Sequence, residues 1–347
     1  MYVLAFRDMA LRARGGVTSA ALYEVDPLDP AYGWSPFQPQ TLKPVDPIAF
    51  GQATQGAHVC FIVHGFNVNR DSGFGEAGSM AQEFQGQGPM SQLPPPAVLN
   101  LLTPNVQFFV PVLWPGDWWL PINYPFVLPK ARDVGRRFAQ FLMSSRSTLS
   151  RVSFFTHSFG ARVFLETVQN VIKPDGVVGQ GRATPPAFDT AVVTAGAATE
   201  TVLDSPFYAD AIGALRRVVV VSAATDEVLT NWFPAGNAVE KALWKNDPGP
   251  NIALGRDGPV LASTSSARGK TDWYVVTDTH SAAGGAITQL HSDYMPNPEQ
   301  ANRGPNGWTD QREVIAKLTQ AMLMASGAPV LGSNGAPWTQ RPSIPTS

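Results

Sequence analysis

Short apolar runs rich in β-branched and aromatic residues recur along the chain, each bounded by Gly, Pro, Asn or Asp, with helical spacing between them. Such alternation is how a parallel sheet with crossover helices reads, because strands covered on both faces lose the in-out pattern of a half-exposed strand. About eight strands are expected on this pattern. Tyr2 to Phe6 and Ser19 to Val25 suit an opening antiparallel pair, and His58 to Val63 suits the sheet centre. Val106 to Leu113, Val152 to Thr156, Thr190 to Ala195, Val218 to Ser222 and Trp273 to Thr277 follow. Helices are expected over Ala131 to Met143, from the spacing of Val134, Phe138 and Phe141 or Leu142, and over Arg162 to Ile172, from Val163, Leu165, Val168 and Ile172. No repeat of fixed period is visible, which argues against solenoids and propellers.

Composition narrows the class. With 347 residues, 44% of them hydrophobic, the chain can bury a large core, and residues 1–324 read as a single α/β domain. Charged residues make up 15% against about 25% in typical globular chains. The formal net charge of -2 provides no positive field to gather phosphates, so nucleic acid is not an expected partner. The lone cysteine, Cys60, lies in an apolar run and reads as core, and the five histidines are scattered singly, so neither a disulfide nor a metal site is expected. The amino terminus reaches charge at Arg7 without a signal-peptide stretch, and no window resembles a spanning helix, so a cytoplasmic protein without a transmembrane segment is expected. The basic residues Lys130, Arg132, Arg136, Arg137, Arg146 and Arg151 read as a solvated outer face.

Glycine and proline are unevenly placed. Residues 65–129 hold 17 of them, and Trp114 to Pro129 reads WPGDWWLPINYPFVLP, an aromatic loop suited to a lid or pocket wall. Residues 325–347 have the Gly/Pro/Ser-rich composition of an unpacked tail, mobile or draped on the surface. Gly73, Gly75 and Gly78 fit G-x-G-x-x-G, but they begin ten residues after the strand ending at Val63, and no acidic residue stands about 20 positions beyond to hold a ribose. They read as a glycine-rich loop, so no dinucleotide is expected.

The most informative stretch is Arg151-Val-Ser-Phe-Phe-Thr-His-Ser158-Phe-Gly160-Ala-Arg-Val. A strand, a sharp turn at Ser158 and an immediate helix form the context that exposes a serine oxygen above a sheet. Gly160 supplies the small residue two after the serine; Thr156 stands where a second small residue is usual. Either the turn is looser there or the threonine packs where a neighbour has shrunk. Upstream, the third expected strand ends in Val63-His64-Gly65-Phe66-Asn67. Backbone amides of Phe66 and Phe159 would then make an oxyanion hole, the second at a helix start whose dipole favours negative charge.

Together these motifs resemble the α/β-hydrolase family over about residues 56–295, and HGFN, the Trp-Pro-Gly strand end and HSFGARV look closest to its bacterial members of unassigned substrate. The resemblance implies a mostly parallel eight-stranded sheet flanked by helices, with residues 114–129 inserted as a loop or lid. It also implies the chain order serine, acid, histidine. Downstream of Ser158 lie only His280 and His291. His291 is favoured, just after a Gly-Gly turn and before Ser-Asp. Asp226, four residues past the strand ending at Ser222, stands at the family's acid position, with Glu200 as the alternative; Asp189 and Asp204 read as capping or surface residues.

The implied activity is cleavage of a carboxylic ester through an acyl-enzyme on Ser158, with no cofactor. Trp118, Trp119 and Tyr124 are expected to line a pocket for a small-molecule or lipid-like substrate, neutral or apolar in keeping with the low charge. Amide or peptide hydrolysis on the same residues, and a silent fold used for binding, are the alternatives.

Overall fold

A computed structural model describes residues 1–11, 15–25, 42–66, 68–78, 80–81, 106–117, 124–144, 149–173, 185–244, 252–276, 279–280, 286–287, 291–294, 338–340 and 343–346. Its strands are β1 (Tyr2–Arg7), β2 (Val17–Glu24), β3 (Lys43–Val45), β4 (His58–Val63), β5 (Phe108–Leu113), β6 (Arg151–His157), β7 (Ala187–Thr194), β8 (Arg217–Ser222), β9 (Thr271–Val276), β10 (Thr279–His280), β11 (Ala286–Ile287) and β12 (Trp338–Gln340). Every residue of β4 is buried, as are all but the first of β6 and β7. Burial on both faces is the reason these segments read as continuous apolar runs.

The main sheet has the order β12-β9-β8-β7-β6-β4-β5-β1-β2-β3, ten strands among the described residues where eight were expected. The additional strands are β3, too short and polar to read, and β12. From β1 through β5, β4, β6, β7 and β8 to β9 all pairings are parallel; β2 and β12 run antiparallel to their neighbours, and a separate hairpin pairs β10 with β11. Chain order places β5 on one side of β4 and β6 on the other. The crevice beyond the carboxyl ends of β4 and β6 is therefore the switch point at which ligands bind in open parallel sheets. This mostly parallel sheet, flanked by helices and carrying a strand-turn-helix serine, is an α/β-hydrolase fold.

Helices α1 (Pro47–Ala53), α2 (Arg70–Gly73), α3 (Tyr124–Ser144), α4 (Gly160–Ile172), α5 (Ala209–Ala214) and α6 (Glu227–Asn231) connect these strands. A Cβ on Gly135 of α3 would stand 2.4 Å from the Glu166 Cβ of α4, so these helices meet almost backbone to backbone. Aromatic rings fill the layer between helix and sheet. Phe138 of α3 meets Phe61 of β4 edge-on at 4.9 Å, and Phe154 of β6 lies 5.2 Å from Phe164 of α4. Cys60 is buried in this core, and burial pushes its thiol pKa up.

Four expectations need correction. The stretch 114–129 is not loop throughout, because α3 already begins at Tyr124 and carries Pro129 inside it. Gly73 to Gly78 is helical, closing α2 and continuing as one wide π turn. The tail is not wholly unpacked, since Trp338, Thr339 and Gln340 pair with Val276, Val275 and Tyr274. Arg268 Nη1 and Nη2 donate to the carbonyls of Ile344 and Pro345, at 2.8 and 3.1 Å, and Ile344 is buried. The outer edge of β9 offers a row of unpaired backbone groups, and β12 satisfies it. Finally, Asp189 is neither cap nor surface: it is buried in β7 and paired with Arg216.

Candidate active site

Ser158 joins β6 to α4 in the left-handed region, at φ 53°; Ala195, at φ 46° just past the neighbouring strand β7, is the other such non-glycine among the described residues. Side chains there clash with their own backbone, so the surroundings must hold the conformation. The Ser158 amide donates to Thr194 O at 3.0 Å, and its carbonyl accepts from the amides of Ala161 and Ala197, both at 3.1 Å. Gly160 is required by close approach: a Cβ would lie 2.5 Å from Val63 O and 3.0 Å from His64 O. Thr156 is accommodated sideways. Its hydroxyl donates to Val192 O on β7 at 3.2 Å, and the Thr194 hydroxyl returns a bond to Thr156 O at 3.0 Å.

The structure brings Ser158, His291 and Asp226 into one line. His291 Nε2 is 2.8 Å from Ser158 Oγ, and His291 Nδ1 is 2.7 Å from Asp226 Oδ2. Asp226 is fully buried and also caps α6, its Oδ1 accepting from the Leu229 amide at 2.9 Å. Each carboxylate oxygen thus has one task. An acceptor facing Nδ1 keeps the proton on that nitrogen and leaves the Nε2 lone pair toward Ser158. Glu200, the alternative acid, stands elsewhere; partial burial and Asp257 push its carboxyl pKa up. His280 lies in β10, and its side chain lies outside the described residues.

The His64-Gly65-Phe66 turn abuts the serine. A Cβ on Gly65 would stand 2.9 Å from both Ser158 Cβ and His157 Nδ1, so only glycine fits. His64 is fully buried and stacked on Trp114 at 5.7 Å. Its Nδ1–H donates to Gly65 O at 2.9 Å, its Nε2 accepts the Trp114 amide at 3.2 Å, and Trp114 Nε1–H donates to His64 O at 2.9 Å. Burial lowers its pKa to about 4. Behind this turn Arg7 and Asp117 form a buried ion pair at 3.3 Å, and burial lowers the Arg7 pKa. Phe159 opens α4, and its ring lies 5.9 Å from that of Phe66. The two turns expected to form the oxyanion hole are therefore adjacent.

His157 carries a contact that sequence reasoning missed. Its Nε2–H donates to the main-chain oxygen of His291 at 2.7 Å. No local signal reports such a bond, because its partner is 134 residues away. Burial first, and then His291, lower its pKa to about 3. Of the expected pocket residues, Trp118 and Trp119 lie outside the described residues; Tyr124 opens α3, and its side chain lies outside them too.

Among the described residues no cluster of His, Cys, Asp and Glu could hold a metal, and no helix is long and apolar enough to cross a membrane. A serine hydroxyl in this arrangement can pass its proton to the imidazole as it attacks an acyl carbon.

No family model and no curated protein matches the chain. Solved structures do. The product of the gene lin2722 from Listeria innocua is 12% identical, with 75% of this chain and 92% of that one covered and a TM-score of 0.31. Esterase B from Lactobacillus rhamnosis HN001 is 13% identical, covering 65% of this chain and 71% of its own, at TM-score 0.30. The same esterase inhibited by a tributyrin phosphonate is 12% identical, with coverage of 88% and 87% and a TM-score of 0.34. At such identities and TM-scores, the chemistry of this chain has to be argued from its own residues.

Proposed function

We propose that the protein is a serine hydrolase that cleaves carboxylic esters of neutral or apolar substrates through Ser158, His291 and Asp226. The observation that carries this reading is the hydrogen-bonded line from Asp226 through His291 to a Ser158 held at φ 53°. His291 takes the Ser158 proton as Oγ attacks the ester carbonyl, and the oxyanion forms against the amides of Phe66 and Phe159. The alkoxide leaves with the proton from His291. Water, deprotonated in turn by His291, then releases the acid from the acyl-enzyme. Asp226 holds the imidazole in its working tautomer throughout, and none of these steps needs a metal or cofactor. The charge-poor composition and the Phe66–Phe159 ring pair beside the serine support an apolar acyl or alcohol group. Trp118, Trp119 and Tyr124 are proposed to bound its pocket; Trp119→Ala is expected to change the preference among nitrophenyl esters of increasing chain length.

Labelling with a fluorophosphonate, followed by peptide mapping, tests the chemistry. A single adduct on Ser158 is expected, and its absence overturns the reading in favour of a silent binding fold. Parallel turnover of nitrophenyl esters and anilides separates ester from amide hydrolysis. Turnover of the anilides alone would reverse the ester assignment.

A further inference from the structure

His157 stands beside the nucleophile in sequence and beside the base in space. Its Nε2 lies 2.7 Å from the carbonyl oxygen of His291, and since a carbonyl only accepts, the ring is the Nε2–H tautomer. The ring also packs on that of His291 at 4.9 Å and on that of Tyr294 at 6.1 Å, so it touches both ends of the short helical turn His291–Tyr294. His157 Nδ1 is buried against Gly65 with no partner among the described residues. An unsatisfied buried acceptor is unfavourable, and an apolar ring of the same shape would avoid it. What the imidazole provides that such a ring does not is the one donor aimed at His291.

Resting on the reading of Ser158, His291 and Asp226 as the reacting set, we propose that His157 is a positioning residue that registers the main chain of His291 against Ser158. Of the two hydrogen bonds of the His291 side chain, the one to Ser158 changes in the proposed reaction: Nε2 gains and loses a proton, and this bond is lost in the acyl-enzyme. The bond from His157 changes in neither half-reaction. It attaches the base directly to the residue preceding the nucleophile, so the distance between them is set by one peptide linkage and one rigid ring. Burial holds this ring neutral far below working pH, so its donor is constant. Displacements of the order of 1 Å between reacting groups are worth about 100-fold in rate, which sets the size of the expected effect.

The test compares His157→Phe, which keeps the ring and removes the donor, with His157→Gln, whose amide N–H can reach the same carbonyl. For a soluble nitrophenyl ester, kcat of the Phe variant is expected to fall by about 10- to 100-fold with KM changed by less than about twofold. The Gln variant is expected to recover most of that loss, and fluorophosphonate labelling of Ser158 should slow in step with kcat. Equal kcat in wild type and Phe variant, or equal loss in the Phe and Gln variants, overturns the proposal. Nitrogen-15 imidazole NMR of the wild type provides a second measurement that needs no variant to fold. One histidine, assigned to position 157 by its contacts with the rings of His291 and Tyr294, should stay in the Nε2–H form without titrating from about pH 5 to 8; a titrating or Nδ1–H His157 also overturns the proposal. If wild-type Ser158 takes no label, the reacting-set reading falls. If wild-type Ser158 is labelled, and the His157→Phe variant is labelled at the same rate, only the positioning role falls.

Discussion

Two groups of serine, histidine and aspartate share strand β6, and only one of them is arranged with the imidazole between the other two side chains. At the carboxyl end of β6, His291 bridges, with Nδ1 to Asp226 and Nε2 to Ser158. Toward the amino end, Ser153 and Asp189 both approach one nitrogen, Nε2 of His58, at 2.7 and 3.9 Å. A ring addressed twice on one nitrogen cannot take a proton from serine on one side while being held by carboxylate on the other. Ser153 also accepts the Thr190 amide at 3.2 Å, where β7 places Asp189 and Thr190 opposite a single residue of β6, and Asp189 pairs with Arg216. Its backbone is an ordinary buried strand between β4 and β7, whereas Ser158 sits past the strand end at positive φ. Identical residue types thus serve as mortar at one end of the sheet and form the proposed reacting line at the other. What separates them is which ring nitrogen faces which partner and whether the serine leaves the sheet.

Substitutions at matched positions should break that symmetry, most strongly at the serines. Ser158→Ala and His291→Ala are each expected to lower kcat/KM for a nitrophenyl ester by more than about 10³-fold, while Ser153→Ala stays within about twofold of wild type. A comparable loss in Ser153→Ala would reverse the assignment of the two ends. The aspartates give the next contrast. Asp226→Asn keeps a side chain able to cap α6 but allows the wrong imidazole tautomer, so kcat should fall by about 10³- to 10⁴-fold with little change in thermal midpoint. Asp189→Asn should leave kcat alone and lower the midpoint instead, and steady-state kinetics alongside calorimetry on both variants would show whether the roles divide this way.

Acid sensitivity should also belong to the Ser158 end. Burial keeps His64 neutral down to about pH 4 and His157 down to about pH 3. Between those values and about 6.5 the unfolded chain binds protons that the folded chain refuses, so their contribution to stability is level above that window and falls as pH drops through it. Two such groups give a slope of at most about 2.7 kcal/mol per pH unit. Urea melts from pH 7.5 to 5 should show roughly half of this slope removed in His157→Gln; an unchanged slope would mean that the ring is not buried neutral. The smallest effect is purely structural. Ser153→Ala leaves the Thr190 amide and His58 Nε2 without the hydroxyl, which should lower unfolding free energy by about 1–3 kcal/mol.

Much of this architecture is legible before folding. Strands β4 to β8 are read within a few residues, because burial on both faces writes a largely apolar run. The turn at Ser158 is equally local: strand, Thr156-His157-Ser158, Phe159-Gly160 and helix are contiguous. Elements whose cause lies elsewhere in the chain are not readable. Nothing in Trp338–Gln340 announces that β9 has an open edge, and the prolines around Tyr124 and Pro129 hide a helix held by packing on α4. Asp189 looks like a surface residue until Arg216 and His58 are seen beside it.

By itself, then, the order of residues determines the class of fold and the strand-turn-helix at Ser158, since each follows from periodicity or from turn chemistry within a few positions, whereas the close contacts that require glycine at 65 and 160 are made with residues far along the chain. Tertiary structure decides the rest. It sets which of two histidines meets Ser158, which carboxylate meets that histidine, which serine is mortar, and that His157 reaches the base it is proposed to register. Those decisions depend on distances of about 3 Å between groups far apart along the chain, and hydrogen-bond geometry of that kind has no local signature.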